Sequence, residues 1–330
     1  MNDPSKEYQK LIKENASLKQ RIRKLEKSAE SGKTGTNTRQ SDRKFEAIFQ
    51  CSPDVITITD LTSGLLLDVN DSFLSLGGYS REEVIGSTTK ELNIWDNMEE
   101  KDRIFDLIKT GTAVDKVELT FRAKTGESRQ MLFSARLIEV DGRQLLIADT
   151  HDITDRKKAE KELIRVNRAL RILSDTNHAL IHIMDEATLL NEVCRIIVDV
   201  GGYRMAFVGF AEHDEAKTIL PVAHAGFESG YIESINVRWA DNERGRGPGG
   251  TAIRTGKPSI AHNIPQDPAF APWREAAIER GYKSNIALPL ISEGQPFGEL
   301  SIYSADTDAF ASRGVAILKE MADNLAFGIA

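Results

Sequence analysis

Asp152-Ile153-Thr154-Asp155-Arg156-Lys157-Lys158-Ala159-Glu160 is the stretch on which the reading of this chain turns. It closes a β-rich segment and opens a long helix with no turn residue between the two. From Ala159 the apolar positions step by four and three. Leu163, Leu170, Asn177 and Met184 fall at heptad a positions, and Ala159, Val166, Leu173 and Leu180 at d. Such a seam wants a partner helix. A stiff helix that leaves one globular module and enters another can carry a mechanical signal, so the chain is expected to be a sensor.

A second heptad lies upstream. Over residues 6–30, Tyr8, Leu11, Asn15, Leu18, Ile22 and Leu25 alternate steps of three and four, with Asn15 at an a position. A lone a-position Asn pairs best with its twin in a parallel, in-register dimer. Asn177 holds the same position type in the second helix, so a parallel homodimer is expected, with Asn15, Leu163, Leu170, Leu173 and Asn177 as its dimer and relay residues. Residues 31–42, rich in Gly, Ser and Thr and free of apolar side chains, read as a flexible linker.

The chain has 330 residues, 40% hydrophobic and 28% charged, enough for two ordinary domains and their connectors. No apolar run approaches the roughly 18 residues that span a bilayer, and residues 1–27 carry no signal-peptide core. Cys51 and Cys194 are the only cysteines and sit in different modules, so no disulfide framework is expected. The expected location is cytoplasmic. Net charge is −7, but residues 1–44 hold twelve Lys/Arg against six Asp/Glu, which leaves −13 for the remainder. These basic residues are interleaved with the hydrophobic seam, which fits a solvated coiled-coil face and not a nucleic-acid arm.

The segment 43–155 reads as two strands, several short helices and a three-strand meander. Val55–Thr59 and 65–69 form the first pair. Asn70-Asp71-Ser72 offers a helix cap, and Ser80 with Glu83 has capping-box spacing. A helix near 99–109 precedes strands at 115–123, 127–139 and 143–152, with turns at Lys124-Thr125-Gly126 and Asp141-Gly142. Phe45, Ile48 and Phe49 suit a docking helix in front. That order resembles a PAS domain of the S-box type, with its PAC motif. The matching residues are Phe45–Phe49, Ser52-Pro53-Asp54, Asn70, Gly78–Gly86 and the Asp152-Ile153-Thr154 exit.

After a signalling helix over 156–186, residues 187–330 begin with an amphipathic helix ended by Gly201-Gly202. Strands follow at 203–211, 218–225, 259–264, 284–291 and 297–304, with a last helix at 309–328. The sheet is expected to be antiparallel with helices against one face. This half resembles a GAF domain through Gly201-Gly202-Tyr203-Arg204, the run from Gly245 to Ala252, Thr255–Pro258, Asp267-Pro268, Ala287–Leu290 and Gly298–Tyr303. The whole is therefore α+β, a PAS domain and a GAF domain joined by a signalling helix behind an N-terminal coiled coil. It looks like a bacterial or archaeal PAS plus GAF sensor protein of the two-component or cyclic-dinucleotide signalling type.

The search for catalytic chemistry returns little. Gly245–Gly250 is not a Walker A loop, since Gly256-Lys257 is trailed by Pro258. It reads as a tight turn needing positive φ, with an anion cradle near Arg246 as the alternative. His178 and His182 have i, i+4 spacing but no third ligand nearby. Cys194 reads as a core thiol, and no Cys stands at Asn93-Ile94-Trp95 where a covalent flavin adduct would need one. No kinase, cyclase or phosphodiesterase motif appears, so the chain is expected not to be an enzyme. Instead it is expected to be a non-catalytic dimeric sensor that binds a small molecule or partner and signals to a downstream kinase, cyclase or regulator. The alternative is the sensory region of a histidine kinase or diguanylate cyclase whose output domain is not in this chain. The cofactor is left open among haem, flavin and a small metabolite. Candidate ligand-facing residues are Asn70, Trp95, Phe121 and Phe133 in the first module and Trp239, Arg246 and Trp273 in the second, with plain packing as the competing reading.

Overall fold

The computed structural model describes residues 35–227, 230–310 and 312–330. The coiled coil expected over 6–30, with Asn15, lies outside the described residues. The chain divides between Lys157 and Lys158 into two units, and each is an antiparallel sheet with helices.

The first unit opens on α1 (Gly35–Cys51). Residues 36–42, expected within a linker, are helical here, because no Pro or second Gly follows Gly35 to stop the helix. Of the three apolar residues expected to dock it, only Phe49 is buried; Phe45 and Ile48 face solvent. Strands β1 (Val55–Asp60), β2 (Leu66–Val69), β3 (Val114–Arg122), β4 (Ser128–Val140) and β5 (Arg143–Asp152) form a sheet in the order β2-β1-β5-β4-β3. The β4–β5 hairpin turns on Asp141 and Gly142, both at positive φ (51° and 76°), as a two-residue type I′ turn requires. Helices α2 (Asp71–Gly77), α3 (Arg81–Val84) and α4 (Met98–Lys109) lie between β2 and β3 in sequence and bury Phe73, Val84, Ile104 and Ile108 in the core.

Asn70 fastens α2 to the sheet. Its Oδ1 accepts from the Ile56 and Phe73 backbone N–H groups at 3.0 and 3.2 Å, and its Nδ2 donates to the Asp54 carbonyl at 2.7 Å. It is fully buried, with every bond spent on backbone. That makes it a cap and tether, not the ligand-facing residue it was expected to be.

The second unit begins within α5 (Thr154–His182). It continues through α6 (Glu186–Asp199), β6 (Met205–Ala211), β7 (Ile219–Gly226), α7 (Tyr231–Ile235), α8 (Pro248–Thr255), β8 (Ser259–Ala261), α9 (Arg274–Glu279), β9 (Ser284–Ser292), β10 (Gln295–Ser304) and α10 (Ser312–Ile329). The sheet order is β7-β6-β10-β9-β8. Both its faces are covered, where one was expected. Along β10, Leu300 and Ile302 join the cluster formed with α5, α6 and α10, while Tyr303 joins Met205, Phe207, Phe270 and Trp273 on the other side. A strand buried on both faces loses the apolar–polar alternation by which a one-sided sheet is recognised.

The α5 seam is spent in part within its own unit. Ala169, Ile172, Thr176 and Ala179 are buried, and Leu173 and Leu180 are half-buried against the same core. Asn177, expected to meet its twin, accepts a hydrogen bond from Asn324 Nδ2 of α10 at 3.0 Å. Leu163, Ile164, Leu170, Ile181 and Met184 remain exposed.

Replacing Asn70 by Ala strands two N–H donors and one carbonyl. It should lower the stability of the first unit by about 2–3 kcal/mol. The check is the urea midpoint of that unit's transition in the full chain. A change below about 0.5 kcal/mol would contradict the tether.

Candidate functional site

The first unit encloses a cavity of about 70 Å³ between its sheet and α2–α4. Three of the residues expected there do line it: Trp95, Phe121 and Phe133 meet edge to face, with ring centroids 4.7, 5.7 and 6.1 Å apart. Sequence reading missed Tyr79, Met131 and Arg129, which line it too. Trp95 Nε1 and Arg129 Nε are buried and bonded to nothing in the protein. An apolar cavity thus carries two unspent N–H donors on its lining residues.

Arg129 also reaches the exit of the sheet. Its Nη1 donates to Asp152 Oδ2 at 3.0 Å, and Asp152 Oδ1 accepts from the Thr154 backbone N–H at 2.8 Å. Thr154 Oγ1 in turn accepts from the Gln130 N–H at 3.0 Å. Burial works to raise the Asp152 pKa, yet the Thr154 and Arg129 hydrogen bonds outweigh it and hold the carboxyl below its ordinary range. The first turn of α5 is therefore clamped to β4 by a side chain that also lines the cavity.

The second unit encloses a smaller cavity, in which the space open to the centre of a water-sized group is about 20 Å³. Phe207 of β6, Tyr231 of α7, Phe270, Trp273 and Tyr303 of β10 wall it, and Glu299 of β10 enters it. Trp273, an expected residue, is held by its Nε1 bond to the Ile235 carbonyl at 2.6 Å. Trp239 and Arg246 are elsewhere. Trp239 donates to the Glu212 carbonyl beneath Lys217, and Arg246 is an exposed partner of Asp241 at 2.9 Å. Their residue types suggested a ligand-facing role, but the sequence could not say which way the chain folds there.

The Gly245–Gly250 run is not a positive-φ turn. None of its glycines has positive φ. What they supply is close approach: a Cβ on Gly247 would sit 2.4 Å from the Trp273 ring, and one on Gly249 would sit 2.4 Å from Glu299 Oε1.

Glu299 is the residue that sequence reading missed. It is fully buried; Oε2 accepts from Ser301 Oγ at 2.9 Å and Oε1 has no partner. Burial drives its pKa up to about 7. A signal was present: an acid, followed two residues on by a serine, inside the largely apolar strand Gly298-Glu299-Leu300-Ser301-Ile302. Cys194 is buried and its thiol is pushed up to about 12 by burial, as fits a core residue. His178 and His182 sit with ring centroids 4.3 Å apart, and no cluster of three metal-ligating side chains occurs among the described residues.

Because the unfolded Glu299 ionises near pH 4.5 and the folded one near 7, the unfolded state loses its proton first as pH rises. Stability should therefore fall between those values, by roughly 3–4 kcal/mol, and level off above pH 7. Glu299→Gln should flatten that slope and stabilise the second unit at pH 8. Denaturation of both proteins across pH 4.5–8.5 measures it, and parallel curves would refute the assignment.

A model of the PAS fold matches residues 43–147, and a model of the GAF domain matches residues 184–330. The chain is 25% identical over 268 residues to the methyl sulfide methyltransferase-associated sensor of Methanosarcina acetivorans, covering 75% of this chain and 24% of that protein. It is 26% identical over 133 residues to the sensor histidine kinase TmoS of Ectopseudomonas mendocina, covering 39% and 14%. Among solved structures, the GAF domain of a Coxiella burnetii phosphoenolpyruvate-protein phosphotransferase is similar, at 18% identity and a TM-score of 0.42, covering 50% of this chain and 94% of that one. The chain spans about a quarter or less of the length of these curated relatives. Two clamped, largely apolar cavities on two antiparallel sheets are thus those of a PAS domain followed by a GAF domain, in a chain homologous to proteins named as sensors.

Proposed function

We propose that this protein is a dimeric, non-catalytic cytoplasmic sensor in which a small ligand in the PAS cavity is reported through α5 to a downstream kinase, cyclase or regulator. The observation that carries the proposal is the double engagement of Arg129. Its unspent Nε on a cavity-lining residue invites an acceptor group on a ligand, while Nη1 holds Asp152 and so the start of α5. A ligand that draws the guanidinium inward weakens that clamp and favours the second of two α5 states, by no more than its difference in affinity between them.

The size of the cavity limits the ligand. At about 70 Å³ it falls well below the roughly 300–1,000 Å³ of sites for larger cofactors. A small acceptor-bearing metabolite suits a cavity of this size.

Dimerisation uses what α5 leaves uncovered. Leu163, Ile164 and Leu170 are exposed in a row ahead of the half that packs on the GAF core, and a second copy supplies the matching surface. No helix among the described residues is long and apolar enough to cross a membrane. The length of the relatives favours a second reading, in which these domains are the sensory region of a longer kinase or cyclase. Reading the gene past the codon for Ala330 separates the two.

In a Cys51→Ser background, Leu170→Cys should form an interchain disulfide, whereas Leu173→Cys, packed against its own core, should form little. Arg129→Ala should change the Leu170→Cys yield at least twofold with the GAF transition unmoved. A monomer at micromolar concentration with no Leu170→Cys disulfide would refute the dimeric relay.

A further inference from the structure

The GAF cavity holds a charge problem that the protein alone leaves open. Glu299 is completely buried, its Oε1 has no partner, and its single donor is the Ser301 hydroxyl. Among the described residues no Lys or Arg lines the cavity. The ionisable groups that share the cavity lining with the carboxyl are the phenols of Tyr231 on α7, whose hydroxyl is also unpartnered, and of Tyr303 on β10 itself, with Tyr282 packed against both; burial pushes the Tyr231 and Tyr303 phenols up, so they stay neutral at physiological pH. Arg280 stacks over the Tyr231 ring and is not among the lining residues. From α8 the neighbour is the Gly249 backbone, from β9 the neutral amide of Asn285, and from β6 the ring of Phe207.

Around this lone carboxyl stand aromatic rings. Phe207, Tyr231 and Phe270 lie with centroids 6.4, 5.6 and 6.4 Å from that of Tyr303, and Trp273 is 5.6 Å from Phe270. A ring face attracts a cation and gains most when both are out of water. An ionised Glu299 repels an anion from this cavity. A neutral hydrophobe finds contacts but leaves Oε1 bare, at the cost of an unsatisfied buried acceptor. A cation with an N–H answers both demands: the N–H satisfies Oε1 and the alkyl groups lie on the rings.

The open space sets the size. Some 20 Å³ for the centre of a water-sized group is a sphere of roughly 1.7 Å radius. That is comparable to the N–C bond of an amine, so the methyl groups of a methylated ammonium fall near its boundary. We propose that the GAF cavity binds a small alkylammonium ion, with the Glu299 carboxylate as counter-ion and the Tyr231–Phe270–Trp273–Tyr303 rings as its cage. This deepens the reading of the chain as a small-molecule sensor and rests on it only for the GAF module.

The test is calorimetric titration of the full-length protein at pH 8 with methylammonium, dimethylammonium and trimethylammonium chloride. Tetramethylammonium, which has no N–H, and tert-butanol, which has no charge, are the controls. At least one N–H-bearing cation should bind saturably, more than tenfold tighter than either control. Glu299→Gln should weaken it about 30-fold and Trp273→Leu about fivefold. At pH 6, where much of the free Glu299 is protonated, binding should release a proton, seen as a buffer-dependent heat that vanishes at pH 8.5. Near-ultraviolet circular dichroism of Glu299→Gln separates lost binding from lost folding. Equal binding of tert-butanol, undiminished affinity in Glu299→Gln, or no saturable heat with any cation at 50 mM would each overturn the cation assignment. None of these results touches the Leu170→Cys test, so the sensor reading stands or falls separately.

Discussion

Helix α5 has to satisfy two environments with one sequence. At its start it is held by polar bonds, Arg129 to Asp152 and Asp152 to the Thr154 N–H, which tie the turn to β4. Further on it is held by burial, with Ala169, Ile172, Thr176 and Ala179 pressed into the GAF core. Polar clamps are sensitive to a competitor for the same donor, and packed cores resist gradual deformation. A helix with the first kind of anchor at one end and the second at the other has its weak point beside the PAS cavity. In the proposed relay this is the end at which a ligand acts.

The two cavities differ in their unmet needs. In the PAS domain the unspent groups are donors, Trp95 Nε1 and Arg129 Nε; in the GAF domain they are the Glu299 Oε1 acceptor and the Tyr231 hydroxyl. Buried polar groups without partners are rare in folded proteins because each one costs stability. Trp95, Arg129 and Glu299 carry theirs on cavity-lining residues, which is the ground of the proposal that both cavities take small molecules, whereas Thr176, Arg238 and Arg274 carry theirs elsewhere. In the proposed sensor, the PAS cavity would take a ligand with an acceptor group and the GAF cavity a cationic donor.

The order of elements was legible because turns and caps are local. Asp141-Gly142, the Ser80–Glu83 capping box and the Asp152-Ile153-Thr154 exit are each decided by a few neighbouring residues, and each stands as read. Trp95, Phe121 and Phe133 were legible as well, being large aromatics on elements that the PAS order places around one interior. What sequence could not deliver was orientation. Asn70 points into backbone, Arg246 points to Asp241 at the surface, and Phe45 and Ile48 lie on the solvent side of α1. Glu299 escaped because β10 is buried on both faces. Alternation there no longer separates inside from outside, and an acid in such a strand looks like an ordinary surface residue until the second layer is seen.

The fate of Asn177 shows how a sound rule can find a different object. A polar residue in an apolar helical seam fixes register by demanding a polar partner, and the heptad assigned that partner to a second chain. The structure supplies it from Asn324 on α10, with Leu180 packed beside Gly328 one turn along. The rule still operates, between α5 and α10 of one chain. Sliding either helix past the other would break this part-buried amide–amide hydrogen bond. A displacement of α5 is therefore shared by α10 and not absorbed at the contact between them, and the exposed row at Leu163, Ile164 and Leu170 is left as the part of the seam available to a second copy.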